Sequence, residues 1–142
     1  MSRHGILDIK RMSDEVYLLK LKNGQITQFN IKTRKTLFTT EVGHTHQIQR
    51  TLVHPNNADL MASGGFDGTL RKWDLKNMQM ESMFEDRGKE GKETVIQAIA
   101  WCKMIPPKGK PADSYEHLII IGTSAGTLKL IDLNRNRVLK SI

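Results

Sequence analysis

The sequence has little of what usually announces chemistry. It carries a single cysteine, Cys102, in 142 residues, which excludes an intramolecular disulfide framework and suits a reducing compartment. That thiol follows Trp101 in an apolar stretch and reads as buried and inert. No apolar run approaches the roughly 20 residues a membrane helix needs, and "MSRHGILDIKRMSDEV" lacks the apolar centre of a secretory signal. A cytoplasmic or nuclear setting with no membrane partner is therefore expected. Basic arms are missing as well. The net charge is +7 with a pI near 9.7, yet Lys20, Lys22, Lys32, Arg34, Lys35, Arg71, Lys72 and Lys76 are scattered among apolar neighbours, and "RGKEGKE" is diluted by glutamates. This distribution reads as a solvated surface and leaves a nucleic-acid patch as the second reading.

Catalytic and metal signatures are equally sparse. His44 and His46 in "HTH", with His54 nearby, are joined by no cysteine or paired carboxylate at ligand spacing. "SGGFDG" lacks the Lys-Ser or Lys-Thr that completes a phosphate loop, and it leads into a strand. No glycine-flanked nucleophile elbow surrounds a serine. No enzyme activity, metal or cofactor is expected.

What the chain does have is self-similarity. "NGQITQFNIKTRKTLFTT" from Asn23, "DGTLRKWDLKNMQMESMF" from Asp67 and "AGTLKLIDLNRNRVLKSI" from Ala125 superimpose. Each holds a glycine (Gly24, Gly68, Gly126) and an apolar residue two places on (Ile26, Leu70, Leu128). A large apolar residue follows at five places (Phe29, Trp73, Ile131), then Asn30, Asp74 or Asp132. Eight residues before each glycine a strand opens on Val16, Leu60 or Leu118 and runs into a tight turn, where glycine tolerates a positive φ. Further strands are predicted before each pair, at 6–9, 48–53 and 95–101, and after it, at 36–39, 79–84 and 137–142. Around the last strand of the middle unit, strand geometry puts Met78 and Met80 on one face and Met83 on the other, as gap-filling contacts.

The first two glycines are 44 residues apart and the next two 58 apart. The first spacing suits one four-stranded propeller blade. The surplus in the second lies in "EDRGKEGKET" and "IPPKGKPADSYEH", loop compositions placed where strands connect. The fold expected is all-β, with three four-stranded antiparallel units at about 5–40, 47–84 and 94–142.

These residues resemble the WD-repeat (WD40) family of β-propellers. The middle unit carries the resemblance most fully, with Gly43-His44, Ser63, Asp67-Gly68 and Trp73-Asp74, and 29 residues from His44 to Trp73. The resemblance implies a partial propeller and a hydrogen-bonded tetrad of His44, Ser63, Asp67 and Trp73. Such a network would supply the partners that burial demands of these groups, and it claims Ser63 and Asp67 for structure instead of nucleophilic catalysis. The outer units keep the apolar framework without the network. The first has Asn23 and Phe29, the third Ala125 and Ile131, with Thr94 near the loop position where a histidine is expected.

Closed propellers have about four to eight blades, so three blades leave two apolar flanks. A piece of a larger propeller, or one completed by another chain through its open edges, is expected. The function implied is a non-catalytic scaffold for protein–protein interaction. The alternative is a nucleic-acid-associated propeller in RNA processing or chromatin. Candidate partner contacts are Phe66, Arg71, Lys108, Lys110 and Tyr115. Some family members engage cullin-type ubiquitin ligases through an arginine two residues after the Trp-Asp pair. Lys76 stands there and lacks the guanidinium fork.

Overall fold

The computed structural model describes residues 4–40, 43–88, 94–102, 108–109 and 117–142. Among them lie twelve strands and no helix, and no helix long and apolar enough to cross a membrane. The first sheet holds β1 (Ile6–Arg11), β2 (Val16–Leu21), β3 (Ile26–Asn30) and β4 (Lys35–Thr39). The second holds β5 (Ile48–His54), β6 (Asn57–Gly65), β7 (Thr69–Asp74) and β8 (Gln79–Glu85). The third holds β9 (Ile96–Trp101), β10 (Leu118–Thr123), β11 (Leu128–Asp132) and β12 (Arg137–Ser141). Each is an antiparallel meander in chain order.

The repeat is one of backbone as well as side chains. Tyr17 pairs with Phe29, Met61 with Trp73 and Ile119 with Ile131. The last strand pair of every sheet carries an irregularity at the same step, Gln28/Phe29, Lys72/Trp73 or Leu130/Ile131. Positive φ recurs at Arg34, Met78 and Asn136 in the turn before each last strand. That turn is held by the residue whose chemistry the repeat keeps. Asn30 accepts from the Thr33 N–H, Asp74 from those of Lys76 and Asn77, and Asp132 from those of Asn134 and Arg135. Asx side chains favour this role because their oxygen reaches a backbone donor two or three residues on.

The inner strands of the middle sheet, β6 and β7, are covered on both faces over most of their length. Through β7 five successive residues are buried, whereas every residue of β12 is exposed. On one side Met61, Trp73, Leu75 and Met78 pack against Leu18 and Ile26 of the first sheet. On the other, Ala62 and Leu70 pack against Ile119, Ile121 and Ile131 of the third. Each fully buried large aliphatic contributes about 1.5–3 kcal/mol. Polar side chains cross both junctions at one repeat position: Gln28 donates to the Leu75 carbonyl at 3.1 Å, and Lys72 to Asn134 Oδ1 at 3.0 Å.

Several expectations need correction. Arg71 and Lys72 are buried, because a strand covered on both faces has no solvated side. Met78 stands in the turn at φ 51, so its approach to the core beside Met80 comes from the turn and not from strand alternation. β6 begins at Asn57, three residues before Leu60: His54 pairs with Asn57, and Pro55, with its preset φ, turns the chain within two residues. Cys102 is half-buried, its thiol pushed up by burial.

Successive sheets meet closely at the glycine turns. A Cβ on Gly68 would lie 2.6 Å from the Thr94 carbonyl oxygen, and one on Gly24 2.0 Å from that of His44, whereas Gly126 has nothing within 4 Å. All three have positive φ. The strain of an alanine there, about 1–2 kcal/mol, should therefore be common to all, and Gly24→Ala and Gly68→Ala, unlike Gly126→Ala, should add a steric cost. Thermal unfolding is expected to show Gly68→Ala losing clearly more than Gly126→Ala. Equal losses would mean that the sheets do not approach at this turn.

Candidate functional site

The site builds up from the β6–β7 turn. The loop leading into β5 brings His44 over the end of the middle sheet, its backbone N–H bonded to the Gly24 carbonyl at 3.1 Å. His44 Nδ1 lies 2.9 and 3.0 Å from the two Asp67 oxygens, and Nε2 lies 2.6 Å from Ser63 Oγ. Trp73 Nε1 donates to Ser63 Oγ at 2.7 Å. The structure thus brings His44, Ser63, Asp67 and Trp73 into one chain of hydrogen bonds.

The directions follow from what each atom can do. A carboxylate only accepts, so His44 Nδ1 carries the proton and donates to Asp67. A neutral ring then leaves Nε2 to accept from the Ser63 hydroxyl, whose oxygen accepts from the indole. Every polar atom along the line is satisfied. Neighbours reinforce it: the Thr45 and Thr69 backbone N–H groups donate to Asp67 at 3.0 and 3.1 Å, and the Thr69 hydroxyl at 2.8 Å. The two glycines after Ser63 make the space. A Cβ on Gly64 would meet Ile96 Cγ2 at 2.5 Å, and one on Gly65 would meet the Gln47 carbonyl oxygen at 2.9 Å and His44 Nδ1 at 3.1 Å.

A serine, histidine and aspartate in this order also describe a nucleophilic triad. Here Ser63 has 0% exposure, and its oxygen already accepts the Trp73 N–H. Burial pushes the Asp67 carboxyl up. The His44 hydrogen bond, the charge of His44 when protonated, and the Thr69 hydroxyl and N–H outweigh it, holding Asp67 well below the usual carboxylate range. The arrangement ties a loop, a turn and two strands together.

The candidate partner contacts do not share one surface. Phe66 is 46% exposed beside Asp67 at the β6–β7 turn, and its N–H is held by the Gln47 carbonyl at 3.0 Å. Arg71 points inward, with Nε 3.2 Å from Thr69 Oγ1 and Nη2 3.6 Å from Asp67 Oδ2. It is therefore withdrawn as a displayed contact. Lys108 is exposed between β9 and β10, at the strand ends opposite the β6–β7 turn. Lys110 and Tyr115 lie outside the described residues.

The histidines diverge. His44 joins the tetrad, His46 contacts Thr45, and His54 stacks edge-on to Trp101 at 4.9 Å. Among the described residues no three His, Cys, Asp or Glu side chains are grouped to hold a metal.

Sequence reasoning missed a second polar cluster at the junction of the second and third sheets. Thr94 Oγ1 lies 2.9 and 2.7 Å from the carbonyl and Oδ2 of buried Asp86, and Asp86 pairs with Lys129. The Thr94 carbonyl stands over Gly68 as the His44 carbonyl stands over Gly24, so threonine and aspartate hold this junction where histidine holds the other. The outer turns are closed differently. Asn23 Oδ1 accepts from the Gln25 N–H at 3.2 Å, and Thr123 and Thr127 hydroxyls meet at 2.7 Å.

No family model matches the chain. Two solved structures of computationally designed proteins are similar to it. Ika8 has 20% identity and a TM-score of 0.68 over 97% of this chain and 36% of its own. Ika4 has 20% identity and a TM-score of 0.69 over 100% of this chain and 74% of its own. At that identity the likeness is one of fold alone. The chain spans about a third of the Ika8 chain's length.

Ser63→Ala should orphan both His44 Nε2 and the Trp73 N–H, costing about 2–4 kcal/mol in denaturant unfolding. A loss under about 0.5 kcal/mol, typical of an unremarkable surface site, would show that the network is not formed. Folding depresses the Asp67 carboxyl, so its contribution is complete above the unfolded value of about 4 and fades as pH falls through the folded one. Asp67→Asn is expected to flatten the acid limb of melting temperature against pH. An unchanged limb would place the acid sensitivity elsewhere.

Proposed function

We propose that this chain is a non-catalytic protein-interaction scaffold of the WD-repeat propeller type, with its three sheets as blades. The observation that carries the reading is the pairing of a clamped turn with an exposed apolar side chain. Asp67 is fixed by His44, Thr45 and Thr69, and its neighbour Phe66 stands 46% exposed. A large side chain on a pre-ordered turn binds with little further loss of conformational freedom, and aromatic anchors dominate contact energies. The polar groups that would perform chemistry are consumed in holding that turn. A cytoplasmic or nuclear setting belongs to the same reading, supported by the lone cysteine.

Nucleic-acid binding is the weaker reading. The +7 charge favours it, but Arg71 faces Asp67, Lys72 faces Glu81 and Lys129 faces Asp86. Those cations serve the fold and are not free to release counterions from phosphates.

Phe66→Ala should leave the melting temperature within a degree or two of the parent, in line with about 0.5 kcal/mol or less at an exposed site. It should abolish capture of the protein partners that the parent chain retains from a native extract, identified by mass spectrometry. Undiminished capture would remove Phe66 as the anchor. Labelled RNA and DNA should show no binding even at low salt. Binding that weakens steeply as salt is added would favour the nucleic-acid reading.

A further inference from the structure

Both internal junctions follow one rule. The face of the first sheet that carries Leu18 and Ile26 meets Met61 and Trp73 of the second. The face of the second that carries Ala62 and Leu70 meets Ile119 and Ile131 of the third. Ile120 and Leu128 hold the positions of Ala62 and Leu70 in the third sheet, as the pairing of Ala62 with Lys72 and Ile120 with Leu130 shows. Ala62 and Leu70 have 0% exposure, whereas Ile120 and Leu128 have 39% and 52%. With Trp101 and Ile142 they line an open cleft of about 500 Å³.

The first sheet presents the complementary vacancy. Tyr17 and Phe29 hold the positions of Met61 and Trp73. With Ile6, Ile9, Leu19 and Ile31 they line a cleft of about 590 Å³ that has no Asp, Glu, Lys or Arg in its wall. The gap above Gly126 completes the match, since the same gap is filled at Gly24 and Gly68.

We propose that these faces form a third junction of the same kind between two copies of this chain, the Ile120/Leu128 face of one seating the Tyr17/Phe29 face of the other. The occupant is argued from continuity: each open face is the half of an interface that the chain builds twice within itself. The contact is heterologous, and a heterologous contact forms a ring only if its rotation closes. Closure at two copies rests on the propeller reading above, for two chains supply six blades, within the four to eight of closed propellers, and three would supply nine. Like net charges of +7 on the two copies oppose the contact, so added salt, which screens them, should strengthen it.

Sedimentation equilibrium of the purified chain over a range of concentrations tests this. The expected species has twice the 16.2 kDa chain mass. Ile9→Lys and Leu128→Lys, both at exposed positions, should each be monomeric alone. Mixed together they should recover the two-chain species, because each retains the face the other lacks and only folded chains can complement. A parent chain that stays monomeric throughout overturns the pairing and leaves the propeller reading standing. A variant that still pairs with itself overturns the head-to-tail arrangement. A ladder of masses rising beyond two copies overturns the closure and the propeller reading with it.

Discussion

The structure depends on the burial of the middle sheet from both sides. From Leu60 to Gly65 and from Thr69 to Trp73, strands β6 and β7 have no wet face, so they cannot use the simple alternation of apolar and polar residues that serves a half-buried sheet. Met61 and Trp73 serve one junction, Ala62 and Leu70 the other. The polar groups caught between them must find partners inside the protein. This one constraint explains both where the apolar residues stand and why the polar ones are networked.

The tetrad follows from it. Ser63, His44 and Trp73 are each nearly or wholly buried, and a single direction of donation satisfies all of them. Arg71 turns toward Asp67 for the same reason. At the second junction the same demand is met by other residues, with Thr94, Asp86 and Lys129 in contact. The repeated element is therefore a position that must be bridged, and the chemistry of the bridge varies from one junction to the next. The outcome is a rim of short, fixed turns, and Phe66 is displayed on one of them.

Much of this was legible in the sequence. Three copies of a glycine followed by fixed apolar positions set the number of sheets, and the turn glycines fell where φ is positive. The resemblance to WD-repeat proteins, carried by Gly43-His44, Ser63, Asp67-Gly68 and Trp73-Asp74, implied the four residues that the structure joins. Other features were silent. Arg71 and Lys72 look like surface residues because their types are usually solvated, but Arg71 is buried on the Trp73 face beside Asp67 and Lys72 on the opposite face beside Asn134 of the third sheet. Asp86 and Thr94 carry no repeat signature because the loop between them has its own length. Met78 sat in a plausible strand pattern, and the turn set by Asp74 removed it.

By itself the sequence determined the strand order, the turns and the apolar register, because these are local: an Asx oxygen, a positive φ and a period of two act within a few residues. Only the tertiary structure decided which charges are buried, which glycines face a neighbouring carbonyl and which apolar faces remain open. Those properties belong to pairs of sheets, and the residues that meet there, such as Lys72 and Asn134 or Gly68 and Thr94, are separated by stretches of chain whose lengths no local rule fixes.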